Sequence, residues 1–270
     1  MTKKNKNLVF SSVGDYSNHH QWLKGKSNFD LYLINYSNNN SGYKNDADYY
    51  FERKGSKFQN FYFLYKNHRD VLDQYDRFLL LDDDIRFSGA SISKLFDIHK
   101  KFYLSIAQPA FTARSKISYL INLSHPRFFL RYTNFVEENA PLFTKQALYK
   151  FMESYDPILP GYGIDLWFIN VIGTNEKNIA IIDDIICTNP YDIFKRGNRE
   201  IDKLVPRQTR VSIWNEIKYN LRIDPVVPTI FSYLKQPFYK LPKRYFNYYF
   251  NSILNLVYRI ITKLVKVIYH

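Results

Sequence analysis

The sequence predicts an α/β domain with a mostly parallel sheet and flanking helices, followed by a basic helical extension. Three observations support this. Strand-like apolar runs alternate with helix-like segments through most of the chain, the order expected of a parallel sheet. One run, Phe78-Leu79-Leu80-Leu81, is uninterrupted and ends in three consecutive acids. That is the pattern of a strand buried on both faces, whose carboxyl end opens on a ligand site. The formal net charge of +13 is also lopsided: from Pro206 onward eleven Lys or Arg face two acids, giving +9, and the preceding residues carry +4. Residues 1–205 are therefore expected to form the main domain and 206–270 a basic amphipathic extension suited to an anionic partner.

Taken in order, strands are expected at 7–12, 29–36, 60–65 and 77–81. Between the first two, residues 16–24, with His19, His20 and Trp22, begin a short helix. An Asn-rich polar loop at 37–48 follows the second strand, and 66–75 reads as a helix leading into the buried run. Beyond the acids come a helix at 91–103, a strand at 104–108, a strand or loop at 131–137 and a helix at 145–155. The turn Gly161-Tyr162-Gly163 precedes a helix over 164–171, and a strand at 179–182 closes the core. After Pro206, prolines at 225, 228, 237 and 242 break the chain into short pieces. From 248 to 270, Ile253, Leu256, Val257, Ile260, Ile261, Leu264, Val265 and Ile268 recur at helical spacing opposite Arg259, Lys263 and Lys266.

Composition sets the outer bounds. At 270 residues, 46% hydrophobic and 23% charged, the chain lies in the globular range. Its excess of Tyr, Phe, Asn, Lys and Ile resembles the product of an AT-rich bacterial genome. A single cysteine, Cys187, excludes an internal disulfide and asks for no oxidising compartment. The apolar run Leu8, Val9 and Phe10 is too short for a signal-peptide core, so a cytoplasmic location is expected. No run approaches the ~20 apolar residues that span a bilayer. The basic helix is therefore expected to lie on an anionic membrane surface, the inner face of a bacterial inner membrane; packing on the rest of the chain or on a second subunit is the other reading. Nucleic acid is not expected as a partner, because the cleft is acidic and no recognition motif is present.

Asp82, Asp83 and Asp84 carry the most specific chemistry. On extended backbone, side chains alternate in direction, so Asp82 and Asp84 can face one side. Two such carboxylates suit a hard divalent cation, Mn2+ or Mg2+, that bridges to the diphosphate of a nucleotide. The alternative is a solvated acidic turn that caps the next helix. A haloacid-dehalogenase-type phosphatase also ends a strand in Asp-x-Asp, but at its first strand and with a small or hydroxyl residue two places on, where this chain has Arg86.

The stretches YDRFLLLDDDIRF (75–87), IAQPAF (106–111), NFVEENAPLFTKQAL (134–148), GYGIDLWF (161–168) and IAIIDD (179–184) resemble, in that order, the family known as domain of unknown function seven-hundred-seven. The likeness runs from about residue 7 to 194. It implies a GT-A-like, Rossmann-like nucleotide-diphospho-sugar transferase fold. The implied activity is transfer of a sugar from a nucleotide-sugar donor to a glycan or glycolipid acceptor of the lipopolysaccharide or capsule type. On this resemblance Asp84 is the direct metal ligand, Asp82 contacts ribose or metal, and Asp83 is a donor-side neighbour. Asp165 is the acceptor base, or else a first-turn acid meeting the helix dipole. Glu137 is the second candidate base. Ser11 and Asp15 after the first strand receive the nucleoside, and Lys57 meets the diphosphate as a point charge. A later histidine ligand of this fold would fall where the chain has Asn189. A protein that binds nucleotide or carbohydrate without turnover, or a membrane-surface scaffold, remains the alternative.

Overall fold

The computed structural model describes residues 5–26, 28–38, 42–190, 200–250 and 253. Nine strands form one sheet: β1 (Asn7–Val13), β2 (Asp30–Asn35), β3 (Tyr49–Glu52), β4 (Arg77–Leu80), β5 (Ile106–Phe111), β6 (Phe128–Thr133), β7 (Leu142–Thr144), β8 (Ile179–Cys187) and β9 (Ile230–Lys235). Their spatial order is β3-β2-β1-β4-β7-β5-β8-β6-β9. Only β6 and β7 run against the other seven, so the sheet is mostly parallel as expected. The chain runs outward from β1 through β2 to β3, then returns to the other side of β1 as β4. This reversal opens a crevice at the carboxyl ends of β1 and β4, where open α/β sheets receive ligands.

The helices are α1 (His19–Trp22), α2 (Lys57–Asn67), α3 (Arg69–Leu72), α4 (Gly89–Lys101), α5 (Lys145–Ser154), α6 (Ile164–Ile172), α7 (Glu200–Leu204) and α8 (Arg207–Asn220), with a 3-10 turn at Tyr43–Asp46. Both sheet faces are covered. Leu8 and Phe10 of β1 and Phe78 and Leu80 of β4 face a layer containing Phe58, Phe61, Phe151, Trp167 and Phe168 of α2, α5 and α6. Val9, Leu79 and Leu81 face the layer of Trp22, Ile92, Leu95 and Phe96 from α1 and α4. Burial on both faces explains why the strands read as unbroken apolar runs.

Two expectations are corrected. Residues 60–65 are not a strand but the middle of α2. Ser56 and Gln59 form a capping box at its start, and Phe58, Phe61, Leu64 and Tyr65 bury one helical face. Pro206 is not the edge of the folded unit either. Trp214, Ile217 and Ile223 are buried in the first layer, and β9 pairs antiparallel with β6. The extension is also fastened by charge: Arg244 donates to the Asp183 carbonyl at 2.6 Å, and Lys240 and Arg244 reach Asp184 at 3.5 and 3.4 Å. Residues 241–250 are helical. The amphipathic helix expected at 248–270 otherwise lies outside the described residues, apart from Ile253. Cys187 ends β8 with 2% of its surface exposed.

Candidate functional site

The acidic turn follows β4 directly at the crevice. Asp82 N–H donates to the Asn139 carbonyl at 3.0 Å, and Ile85 N–H closes the turn on the Asp82 carbonyl at 3.2 Å. The three carboxylates do different things. Asp82 Oδ1 accepts from Lys57 Nζ at 2.6 Å. Asp83 points back into the protein, where Oδ2 accepts from Gly14 N–H at 2.9 Å and from the Tyr36 hydroxyl at 3.2 Å. Burial, with Asp84 beside it, pushes its carboxyl up to about 7. Asp84 is half-buried, and its carbonyl accepts from Asn18 Nδ2 at 2.6 Å. Asp83 therefore buckles the loop after β1 to the turn after β4, and the outer two acids make up the rim. Gly14 permits this closeness: a Cβ there would fall 2.4 Å from the Tyr36 hydroxyl oxygen.

The donor-side residues divide in the same way. Asp15 is exposed just past the end of β1, and its carbonyl accepts from the Tyr43 hydroxyl at 3.0 Å. Ser11 is not presented to the crevice. It is fully buried, and its hydroxyl donates to the Leu81 carbonyl at 2.8 Å, tying β1 to β4. Lys57 does not stand free for a diphosphate. Its side chain is 9% exposed, and its ammonium is shared among Asp82 Oδ1 and the carbonyls of Leu80, Glu138 and Asn139. A lysine has three protons to donate, and these oxygens use them.

Lys57 also joins the acidic turn to the backbone of the segment that carries Glu137 and Glu138. Asp165, in the first turn of α6, has its carboxyl pushed well above the usual range by burial and by Glu138. Glu137, the second candidate base, is held by hydrogen bonds within the protein. It is 2% exposed, its Oε1 accepts from the backbone of Ser118 and Tyr119 at 2.7 and 3.2 Å, and its Oε2 accepts from Asn139 Nδ2 at 3.2 Å. It anchors the segment carrying Tyr119, whose phenol is raised by burial and by the charges of Asp165 and Glu137. Glu138, partly exposed and next in sequence, takes the place beside Asp165. Sequence reasoning ranked Glu137 ahead of its neighbour Glu138 and missed Tyr36. Adjacent acids give no periodic signal to rank them, and a tyrosine after a strand gives none at all.

The segment in which the family resemblance places a later histidine does reach the turn. Arg86 and Thr188 exchange backbone hydrogen bonds of 2.8 and 3.1 Å, and Asn189 follows. Asn189 is 4% exposed with an unpartnered Oδ1. Carboxylate oxygens such as those of Asp82 and Asp84, and an amide oxygen such as that of Asn189, are the donor type that a hard divalent cation takes.

Compared with known proteins, the chain matches no family model and no curated protein. Among solved structures it is similar to S. aureus TarS 1–349, with TM-score 0.47 and 11% identity over 68% of this chain and 60% of that one. It is also similar to the same TarS fragment in complex with UDP, with TM-score 0.45 and 11% identity over 79% and 72%. A third likeness is to A197 from STIV, with TM-score 0.44 and 14% identity over 69% and 86%. The chain thus spans 60% of the length of the first of these. Likenesses this distant carry no argument, and the functional reading rests on geometry.

Proposed function

We propose that the chain is a glycosyltransferase with a GT-A-like sheet, moving a sugar from a nucleotide donor to a hydroxyl of a cell-surface glycan. One observation carries the reading: the acidic turn stands in the crevice where the strand order reverses around β1, and Lys57 ties it to the backbone of Glu138, whose charge acts on Asp165. A divalent cation, Mn2+ or Mg2+, would be held by Asp84 and Asp82 and would supply positive charge to the leaving diphosphate. Asp15 lies where ribose or base would rest. Asp165 accepts the proton of the acceptor hydroxyl as that oxygen bonds to the anomeric carbon. The bond from this carbon to the donor phosphate breaks, and its electron pair leaves with the nucleoside diphosphate. Direct displacement of this kind inverts the anomeric centre. Burial and the charge of Glu138 make the Asp165 carboxylate a stronger base than a solvated one, which favours proton transfer near neutral pH.

The same reading gives the extension the task of meeting the anionic membrane surface that carries the acceptor. Phe238, Tyr239, Phe246, Tyr249 and Phe250 are exposed there, in company with exposed Lys235 and Lys243. No described helix is long and apolar enough to cross a membrane.

The test is a thermal-shift screen against UDP, GDP, CDP, CMP and their sugars, with and without Mn2+, on wild type and Asp84→Ala. Stabilisation by one nucleotide that depends on Mn2+ and disappears in the variant supports the reading. Release of free nucleotide from the matching sugar donor then separates turnover from binding alone. A folded protein that responds to no nucleotide sinks the proposal.

A further inference from the structure

Away from the acidic rim, two imidazoles and a carboxylate converge between α1 and the 3-10 turn at Tyr43–Asp46. His19 Nε2 lies 3.0 Å from Asp46 Oδ2, and His20 Nδ1 lies 3.4 Å from the same oxygen. One ligand atom from each of the three residues sits within 4.8 Å of the others. Zinc bonds of ~2.0–2.2 Å to nitrogen and oxygen imply a ligand-to-ligand separation of about 3.4 Å around a tetrahedral ion. Two of the three edges are already near that length. A small rotation of the exposed His20 ring would close the third.

The surroundings suit a metal better than a simple hydrogen bond. His19 is fully buried, and its other nitrogen, Nδ1, lies 2.9 Å from Ser17 Oγ. With Nδ1–H donating to that hydroxyl, the Nε2 lone pair faces Asp46, the arrangement by which an outer partner fixes a ligating imidazole. The Tyr43 ring covers His19 edge-on at 4.5 Å. His20 and Asp46 have side chains 61% and 30% exposed, which leaves an approach for the ion and a place for water as fourth ligand.

We propose that His19, His20 and Asp46 form a zinc site, separate from the all-oxygen acidic turn and different in its metal preference. Two nitrogens and one carboxylate oxygen favour a borderline ion such as Zn2+ over Mg2+ or Mn2+. Its place in the fold gives it a task. It joins the turn after β2 to the helix whose preceding residue, Asn18, donates to the carbonyls of Asp83 and Asp84, while Tyr43 in the same turn donates to Asp15. Zinc binding therefore braces the loop that frames the acidic turn.

The experiment uses the full chain without a polyhistidine tag, stripped with chelator and titrated with Zn2+ by calorimetry and with Co2+ by absorption, in the absence of nucleotide. The expected result is one ion per chain, with the visible band of tetrahedral Co2+. The affinity should fall by about tenfold or more in His20→Ala and Asp46→Asn, and stay unchanged in Asp84→Ala. Because His20 is exposed, its variant should match wild type in circular dichroism and in metal-free melting temperature. The proposal is overturned by wild type that shows neither heat nor a Co2+ band, by undiminished binding in a folded His20→Ala, or by loss of binding in Asp84→Ala. Since no nucleotide is present, the outcome is independent of whether the chain transfers sugar.

Discussion

Asp83 and Asp165 are both half-buried carboxyls with raised proton affinity, yet they call for opposite tests. Asp83 accepts from Gly14 N–H and the Tyr36 hydroxyl. Its folded value of about 7 exceeds the unfolded value near 3.8, so the native state holds the proton more tightly. The stability it contributes is therefore greatest at low pH and is lost as pH rises from about 4 through about 7. Asp83→Asn keeps an acceptor and removes the titration. In metal-free protein, the melting-temperature difference between variant and wild type should grow in favour of the variant across that window; a pH-independent difference would contradict the assignment. Asp165, by contrast, must lose its proton to act. Turnover should rise with pH, with a midpoint above the ordinary carboxylate range, and Asp165→Asn should lower it about 10²–10⁴-fold while nucleotide still stabilises the fold. At this scale the sequence was legible where residue type is scarce and placement distinctive, as with three acids after a buried strand. It was not legible for Ser11, Lys57 and Glu137, because side-chain direction at the end of a strand depends on neighbours brought in from elsewhere in the chain.

At the scale of elements, the helix carrying Asp165 depends on the extension. Gly163 caps α6 with φ near 80°, and a Cβ there would come within 2.4 Å of the Trp214 ring on α8. Gly163→Ala should cost about 1–2 kcal/mol from left-handed backbone alone, and must displace Trp214 as well. Trp214→Ala should then lower turnover more than nucleotide binding, read as kcat against donor affinity. The pair Arg131–Asp183 holds β6 to β8 with two hydrogen bonds of 2.8 and 3.0 Å, both side chains nearly sealed from water. Arg131→Ala leaves the buried Asp183 carboxylate without its charged partner, holding only the His125 N–H, and should destabilise the protein by about 3–5 kcal/mol in denaturant unfolding. Among elements, periodicity found α4, α5 and α6. It misassigned α2, where an aromatic run imitates a strand, and overlooked β3, β7 and β9. Strands of three or four residues hold too few side chains to display a period, and β9 is exposed along its whole length.

For the whole molecule, the extension is structural before it is anything else. A chain ending at residue 205 would uncover the edge of β6 and the apolar surface against Trp214, Ile217 and Ile223. It should aggregate or melt far below the full chain, which light scattering and calorimetry can read. A quadruple exchange of the exposed Phe238, Tyr239, Phe246 and Phe250 for Ser should instead leave melting unchanged and reduce co-sedimentation with anionic vesicles relative to neutral ones. Uneven charge made the extension visible in the sequence, but charge says nothing of which apolar residues face inward, so its share in the sheet stayed hidden. The lone thiol gives this architecture a built-in reporter. Cys187 closes the last strand of the central parallel pair, opposite Phe111, and is shut away from solvent. Its side chain lies in the layer with Trp22, Ile92, Leu95 and Phe96, so labelling of the native protein by a maleimide measures how often that layer lifts from the sheet.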